Sequence, residues 1–299
     1  MKNSNIKYII LFISIIFIID IIGGKILKSQ FRNISFGTYG NINNSINSNS
    51  EIMILGSSRA MHHYNSKVLS KQTKVSCYNS GLGGYGFFYN YAILDEKIKK
   101  GNLKIIILDI SPNVIVDAKS YDKLNLLLPY YKDYNSFKEI IRLDSEFSQL
   151  ELASNMYLYN STLYDFFRSS IVKKVDNNYG FLPLNGTIDE NNFVPMKYNN
   201  EKIDTNKFIY LKKIINLCSL NDIKLIGVVS PTYLKYDVNN IVINQFKSVF
   251  DSNKLEFYDY SDFYKLYNTP KYFKDQLHLN KLGAEVFSEE LANKIVYGL

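Results

Sequence analysis

The stretch "EIMILGSSRAMHHYNS", residues 51–66, decides how the chain is read. Residues 51–56, "EIMILG", form a short apolar run without polar alternation. That pattern suits a strand covered on both faces. The text turns amphipathic over residues 58–71, which predicts a helix. Ser57 and Ser58 therefore stand where a strand hands over to a helix. A serine in that place either caps the helix or offers its hydroxyl as a nucleophile.

The same rhythm recurs along the chain. Further buried strands are expected at "KVSCYN" (74–79), "LKIIILDIS" (103–111), "IKLIGVVS" (223–230) and "KLEFYDYS" (254–261). Apolar residues fall at helical spacing in 87–101, 208–222 and 280–299, and Gly101 is a natural helix stop. Short apolar strands alternating with helices predict a three-layer α/β/α sandwich around a five-stranded, mainly parallel sheet. Ligands of such sheets bind beyond the carboxyl ends of the strands. Residues 114–205, rich in Tyr, Asn and Leu, break the rhythm. They read as an insertion over the strand ends, with helices near 135–171.

The N-terminus is of another kind. "YIILFISIIFIIDII", residues 8–22, is apolar apart from Ser14 and Asp20 and has no polar face. It approaches the lower limit for a spanning helix, about 17 residues. No small-residue cleavage pattern follows it. The expectation is an uncleaved anchor over residues 1–32, single-pass in a bacterial cytoplasmic membrane, with the bulk of the chain on the outer side. Asp20 is tolerable there only near an interface. Residues 33–50, rich in Asn, Ser and Gly, read as a polar linker, and residues 51–299 as the globular domain.

Bulk composition narrows the function classes. Lys plus Arg is 35 against 28 Asp plus Glu, a net charge of +7 without any basic block, so nucleic acid is not an expected partner. Two cysteines, Cys77 and Cys218, cannot make a disulfide framework, and three histidines argue against a multi-histidine metal site. Cys77 reads as a core residue. The abundance of Asn, Ile, Lys and Tyr fits an AT-rich bacterial source.

Three segments fall at carboxyl ends of the expected strands: "GSSR" (56–59), "NSGLGG" (79–84) and "DQLH" (275–278). A serine hydroxyl needs a neighbouring base, histidine is the usual one, and a carboxylate on its other nitrogen fixes the tautomer. Asp275 and His278, three apart on a turn, can reach the same side. Ser58 at a helix start lies among free backbone N–H groups, and a glycine in a second loop lets another N–H approach. His62 and His63 fall one turn after the serine and are expected to project away, in surface or core roles. Arg59 is read either as an anion-binding group or as a surface pair.

These segments resemble the SGNH (GDSL-type) hydrolases. "ILGSSRA" resembles the family's first block, with Ser57 in the Asp position and Ser58 in the nucleophile position. "NSGLGG" resembles the second, and Gly84 matches the glycine that donates to the oxyanion hole. "DQLHLNKLGAEVFSEEL" resembles the last, with Asp275 and His278 as acid and base. The resemblance covers residues 51–113 and 208–299 and implies a flavodoxin-like α/β/α fold and serine-dependent ester chemistry without a metal or organic cofactor. The third block departs. "DISPN" stands where the family has Gly-x-Asn-Asp, so Asn113 is the nearest third oxyanion donor and Asp109 is left to a local role. "VVSPTY" (228–233) more loosely resembles membrane-anchored members in bacterial surface-glycan pathways. Two readings follow: an esterase or O-acyltransferase acting on a cell-surface polysaccharide, or a weak or inactive module that binds glycan or a partner during surface-polymer assembly.

Overall fold

The computed structural model describes residues 2–115, 121, 123–144, 147–171, 178–189, 204–233 and 239–297. They divide into two compact units. One comprises Met1–Asn43 with Tyr121–Val175, the other Asn44–Ser120 with Asp176–Leu299.

The second unit holds the sheet. Its strands are β1 (Ile52–Leu55), β2 (Cys77–Asn79), β3 (Ile105–Asp109), β4 (Lys224–Val229) and β5 (Glu256–Asp259). All four pairings are parallel and the order is β2-β1-β3-β4-β5. The chain runs outward from β1 to β2 and then crosses back to β3. The loops after β1 and β3 therefore part and leave a crevice at the carboxyl end of the sheet. β1 and β3 are buried throughout, because helices cover both faces. Ile52, Ile54, Ile105, Ile107, Ile226 and Val228 share one core with Leu69, Phe287, Leu291 and Ile295. Leu69 belongs to α4 (Ser66–Thr73) and the other three to α11 (Lys281–Tyr297). The opposite layer is built from α5 (Phe87–Ile98), α9 (Thr205–Leu220) and α10 (Asn239–Ser252). There Phe88 packs edge-on to Tyr210 at 5.0 Å, and Phe208 stacks on Phe246 at 5.8 Å. α10 is an element the sequence reading did not name.

Two expectations are corrected here. The single helix expected over 58–71 is two, α3 (Ser58–His63) and α4. Tyr64 is extended, and Asn65 caps α4 by accepting from the N–H groups of Lys67 and Val68. The expected linker 33–50 contains a helix, α2 (Gly37–Asn47). Tyr39, Ile42 and Ile46 recur at helical spacing beneath the Asn/Ser composition, and each is buried.

The first unit contains α1 (Lys2–Arg32), α6 (Asn135–Ile141), α7 (Gln149–Ala153) and α8 (Leu163–Ile171), with 3-10 helices at Leu124–Tyr130 and Tyr157–Thr162. Helices do occur over 135–171 as expected, but this segment clusters with the N-terminal residues. Residues 190–203 of the expected insertion lie outside the described residues. Among the described residues, Asn5–Arg32 is the one helix long and apolar enough to cross a membrane, with a mean hydropathy of 2.5.

Candidate active site

β1 ends at Leu55, and α3 begins at Ser58 without a side-chain cap from Ser57. The Ser58 hydroxyl is turned instead to His278, with Oγ 2.8 Å from Nε2. His278 Nδ1 lies 3.0 Å from both carboxylate oxygens of Asp275. A nitrogen facing a carboxylate carries the proton, so Nε2 presents its lone pair to the serine.

The three-residue spacing works because Asp275 organises its own turn. Its Oδ1 accepts the N–H groups of Leu277 and His278, each at 2.9 Å. Phe273 and Leu279 bridge antiparallel, and Lys274 N–H donates to His278 O at 2.8 Å. The turn is thus closed on both sides. Burial pushes the Asp275 carboxyl up, but the His278 hydrogen bond and the two backbone N–H groups outweigh it and hold the group below the usual carboxylate range. The His278 side chain is 20% exposed and that of Asp275 53%, so the constellation opens to solvent.

The "NSGLGG" loop passes over α3. Asn79 anchors it, donating from Nδ2 to Ala60 O and Tyr64 O and accepting from Gly81 N–H. A Cβ on Gly81 would come within 2.4 Å of Met61 N, so no side chain fits there. Gly84 has φ +81°, the left-handed region that glycine enters freely. A Cβ on its neighbour Gly83 would lie 3.8 Å from Ser58 Cβ. Asn113 falls in the 3-10 turn Pro112–Ile115 after β3, and its side chain lies outside the described residues.

His62 and His63 are buried, the core role of the two expected, but the direction expected for them and both readings of Arg59 are corrected. α3 ends after six residues, so its last turn faces the site rather than pointing away. The rings of His62 and His63 meet His278 edge-on, at 5.5 and 6.2 Å. His63 is wholly buried. Its Nε2 accepts the Leu279 N–H at 3.0 Å, so its Nδ1 carries the proton that points at Ser230 Oγ, 2.9 Å away. Arg59 is neither a surface pair nor an exposed anion binder. It is 3% exposed, donates from Nε and Nη2 to Ser230 Oγ and from Nη2 to Ser230 O, and stands 4.0 Å from Asp109 Oδ1. Asp109 does take the local role left to it, since its Oδ2 accepts the Tyr64 hydroxyl at 2.6 Å. Burial, then the Arg59 charge, pushes His63 well below the usual histidine range. Burial, then Asp109, pushes Tyr64 well above the usual phenol range.

Ser230, at the end of β4, drew no notice in the sequence as a partner of the site. Residues 178–189 belong to the insertion expected over the strand ends. These return to the sheet unit: Asn79 N–H donates to Tyr179 O, Leu182 N–H to Met61 O, and Ile188 N–H to Phe273 O. His62 Nδ1 meets Leu182 O at 2.7 Å, which ties this segment beside His278.

The chain matches no family profile and no curated protein. Solved structures similar to it include a candidate platelet activating factor from Streptococcus pneumoniae, 11% identical with a TM-score of 0.45, covering 95% of this chain and 98% of that one. A GDSL-like lipase from Bacteroides thetaiotaomicron is 12% identical with a TM-score of 0.42, covering 89% and 99%. A candidate lipolytic protein of the G-D-S-L family from Desulfitobacterium hafniense is 9% identical with a TM-score of 0.42, covering 82% and 98%. Likeness at these levels adds no weight to the chemistry, which rests on the side chains described above.

Proposed function

We propose that the protein is a serine-dependent acyl-transfer enzyme of the SGNH type, an esterase or O-acyltransferase. The observation that carries this reading is the run of contacts from Asp275 through His278 to Ser58, at 3.0 and 2.8 Å. Ser58 Oγ attacks the acyl carbon of an ester while His278 Nε2 takes its proton. Asp275 holds the Nδ1–H and balances the imidazolium that forms. Backbone N–H groups of Ser58 and Gly84 are assigned to the oxyanion, with Asn113 as third donor. His278 then protonates the leaving alkoxide. Water, or the hydroxyl of an acceptor, attacks the acyl-enzyme with His278 as base and frees Ser58.

For the substrate, the reading is an ester-bearing cell-surface polysaccharide, with partners in surface-polymer assembly. The apolar N-terminal helix and the resemblance of "VVSPTY" to membrane-anchored glycan-modifying relatives support it. A second reading, a weak or inactive module that binds glycan, draws support from the third block. Its Asp109 is engaged by Tyr64 rather than facing the serine.

The test uses the full chain in detergent, because Phe31 of α1 is buried and a chain cut at residue 33 would lack it. Labelling by a serine-reactive fluorophosphonate and turnover of p-nitrophenyl acetate are expected in the intact protein and absent from Ser58→Ala. A folded protein that shows neither, with small esters or with acylated glycan, sinks the catalytic reading and leaves the binding module.

A further inference from the structure

α1 carries two features foreign to an ordinary apolar span, the carboxylate of Asp20 and the pair Gly23–Gly24. One contact within the first unit accounts for both. Asp20 Oδ1 accepts from Ser154 Oγ at 2.6 Å and from the N–H groups of Asn155 and Met156 at 3.0 Å. Its Oδ2 accepts the Asn155 backbone and side-chain amides, each at 2.8 Å. Ser154–Met156 lead into the 3-10 helix Tyr157–Thr162, and Ser154 Oγ in turn accepts the Tyr157 N–H at 3.1 Å, so Asp20 holds from a different element the segment that starts that helix. The glycines admit the same segment. A Cβ on Gly23 would lie 2.6 Å from Met156 Sδ, and one on Gly24 2.3 Å from Asn155 Cβ.

On the far side of this contact α1 is part of the fold. Phe31 packs against Tyr159 at 5.6 Å, and Lys28 pairs with Asp133. On the near side it is bare, the large apolar residues from Ile6 to Ile22 being between 45% and 70% exposed. Residues 6–22 make a rod roughly 25 Å long at about 1.5 Å per residue. A bilayer has a hydrocarbon core of about 30 Å. The rod alone is too short, so the collar at Asp20 has to meet the lipid boundary. The collar is dressed for that place. Leu150 and Met156 are 84% and 39% exposed. Lys132 donates to Ala153 O and Asn155 Oδ1, and Lys25 and Lys28 follow on α1.

We propose that α1 is a retained anchor and that the Leu150–Met156 collar rests on an anionic lipid surface. Asp20 lies at the boundary, and Lys25 and Lys132 stand among the headgroups. Removal of α1 as a leader would strip from Ser154–Met156 the carboxylate that holds them and leave Tyr159 without its Phe31 contact. This inference does not depend on the chemistry proposed for Ser58.

The test places the full chain in vesicles of phosphatidylcholine, with and without phosphatidylglycerol. A fluorophore is attached in turn at Ile16→Cys, Leu150→Cys, Met156→Cys or Ser29→Cys. Cys77 and Cys218 are buried and stay unlabelled in the native protein. Ser29 lies roughly 14 Å beyond Asp20 along α1 at about 1.5 Å per residue. Quenching by mid-chain nitroxide lipid is expected at residue 16. Quenching by headgroup-level nitroxide is expected at 150 and 156, stronger with phosphatidylglycerol, and neither quenches residue 29. In Asp20→Leu the collar signal should fall at least twofold while residue 16 is unchanged. The intact mass should retain residues 1–32. A collar unquenched beside a quenched residue 16 would overturn the proposal. So would a residue 16 shielded from lipid, which means a protein partner covers the helix, and so would loss of the N-terminal mass.

Discussion

Two serine–histidine pairs stand side by side in this protein. His278 Nε2 lies 2.8 Å from Ser58 Oγ, and His63 Nδ1 lies 2.9 Å from Ser230 Oγ. Distance does not separate them. What differs is the partner of the second ring nitrogen. A carboxylate faces Nδ1 of His278 and leaves Nε2 free to take a proton. A backbone N–H occupies Nε2 of His63, so Nδ1 is obliged to donate. Surroundings reinforce the split. Ser58 and His278 are half-buried, whereas His63 and Ser230 are fully buried with Arg59 donating to the same hydroxyl. The first pair has the polarity of a base and a nucleophile. The second is a structural clamp that holds the end of β4 and the His278 turn to α3.

The sharpest way to break this comparison is to exchange the serines for alanine one at a time. Ser58→Ala should lower ester turnover on the order of 10⁴-fold or more and abolish fluorophosphonate labelling, with the fold intact by circular dichroism. Ser230→Ala should keep the label on Ser58. Labelling that survives in the first variant and disappears in the second would reverse the assignment.

Next in size is Asp275→Asn, which removes the charge that fixes the His278 tautomer. Turnover should fall about 10²- to 10⁴-fold with little change in KM, measured on p-nitrophenyl acetate. An unchanged kcat would mean that the backbone turn alone orients the ring.

His63→Ala probes the clamp. It leaves the Leu279 N–H without its acceptor, while Arg59 still donates to the Ser230 hydroxyl, and an unpaired buried donor costs about 1–3 kcal/mol. The urea midpoint should drop accordingly. Turnover should also fall, by roughly tenfold, because His278 is displaced from Ser58. Lost stability with unchanged kcat would confine His63 to packing.

The smallest effect is a pH dependence. Burial holds His63 below its ordinary value, so the folded protein resists its protonation and the unfolded chain, near about 6.5, does not. Between those two values the unfolded state binds more protons. The stabilisation is therefore complete above about pH 6.5 and declines as pH falls below it, by up to about 1.4 kcal/mol per pH unit for one group. His62 is shifted in the same direction, by burial first. Urea midpoints followed from pH 7 to 5 should slope less steeply in His63→Gln than in the parent. Equal slopes would place the acid sensitivity elsewhere.

The sequence disclosed what is local. β1, β3 and β4 are legible because strands covered on both faces read as near-continuous apolar runs. The Asp275–His278 pair is legible because one turn builds it. Ser58 could be picked out, but whether it capped α3 was open until its hydroxyl was placed on His278. The clamp was hidden for a different reason. Arg59 lies in α3 just after β1, Asp109 ends β3 and Ser230 follows β4, and Ser230 is 171 residues from Arg59, so only the strand order brings them together. A helix continued through Tyr64 would turn His62 and His63 away from the site; α3 stops at His63, and Asn65 followed by Ser66 is the capping signal that starts α4. In α2 the apolar face was carried by three residues and masked by the asparagines and serines between them.

The position of α11 has a consequence for how the protein comes to life. α11 packs against α3 and α4, and the turn before it supplies His278 to a serine 220 residues upstream. During synthesis every strand of the sheet leaves the ribosome before the base does. A nascent chain that has released all five strands still presents Ser58 without His278, and its sheet without Phe287, Leu291 and Ile295. On the chemistry proposed above, reactivity therefore arrives last, and loss of the final turn and helix would both take His278 from Ser58 and uncover the core that Phe287, Leu291 and Ile295 share with the sheet.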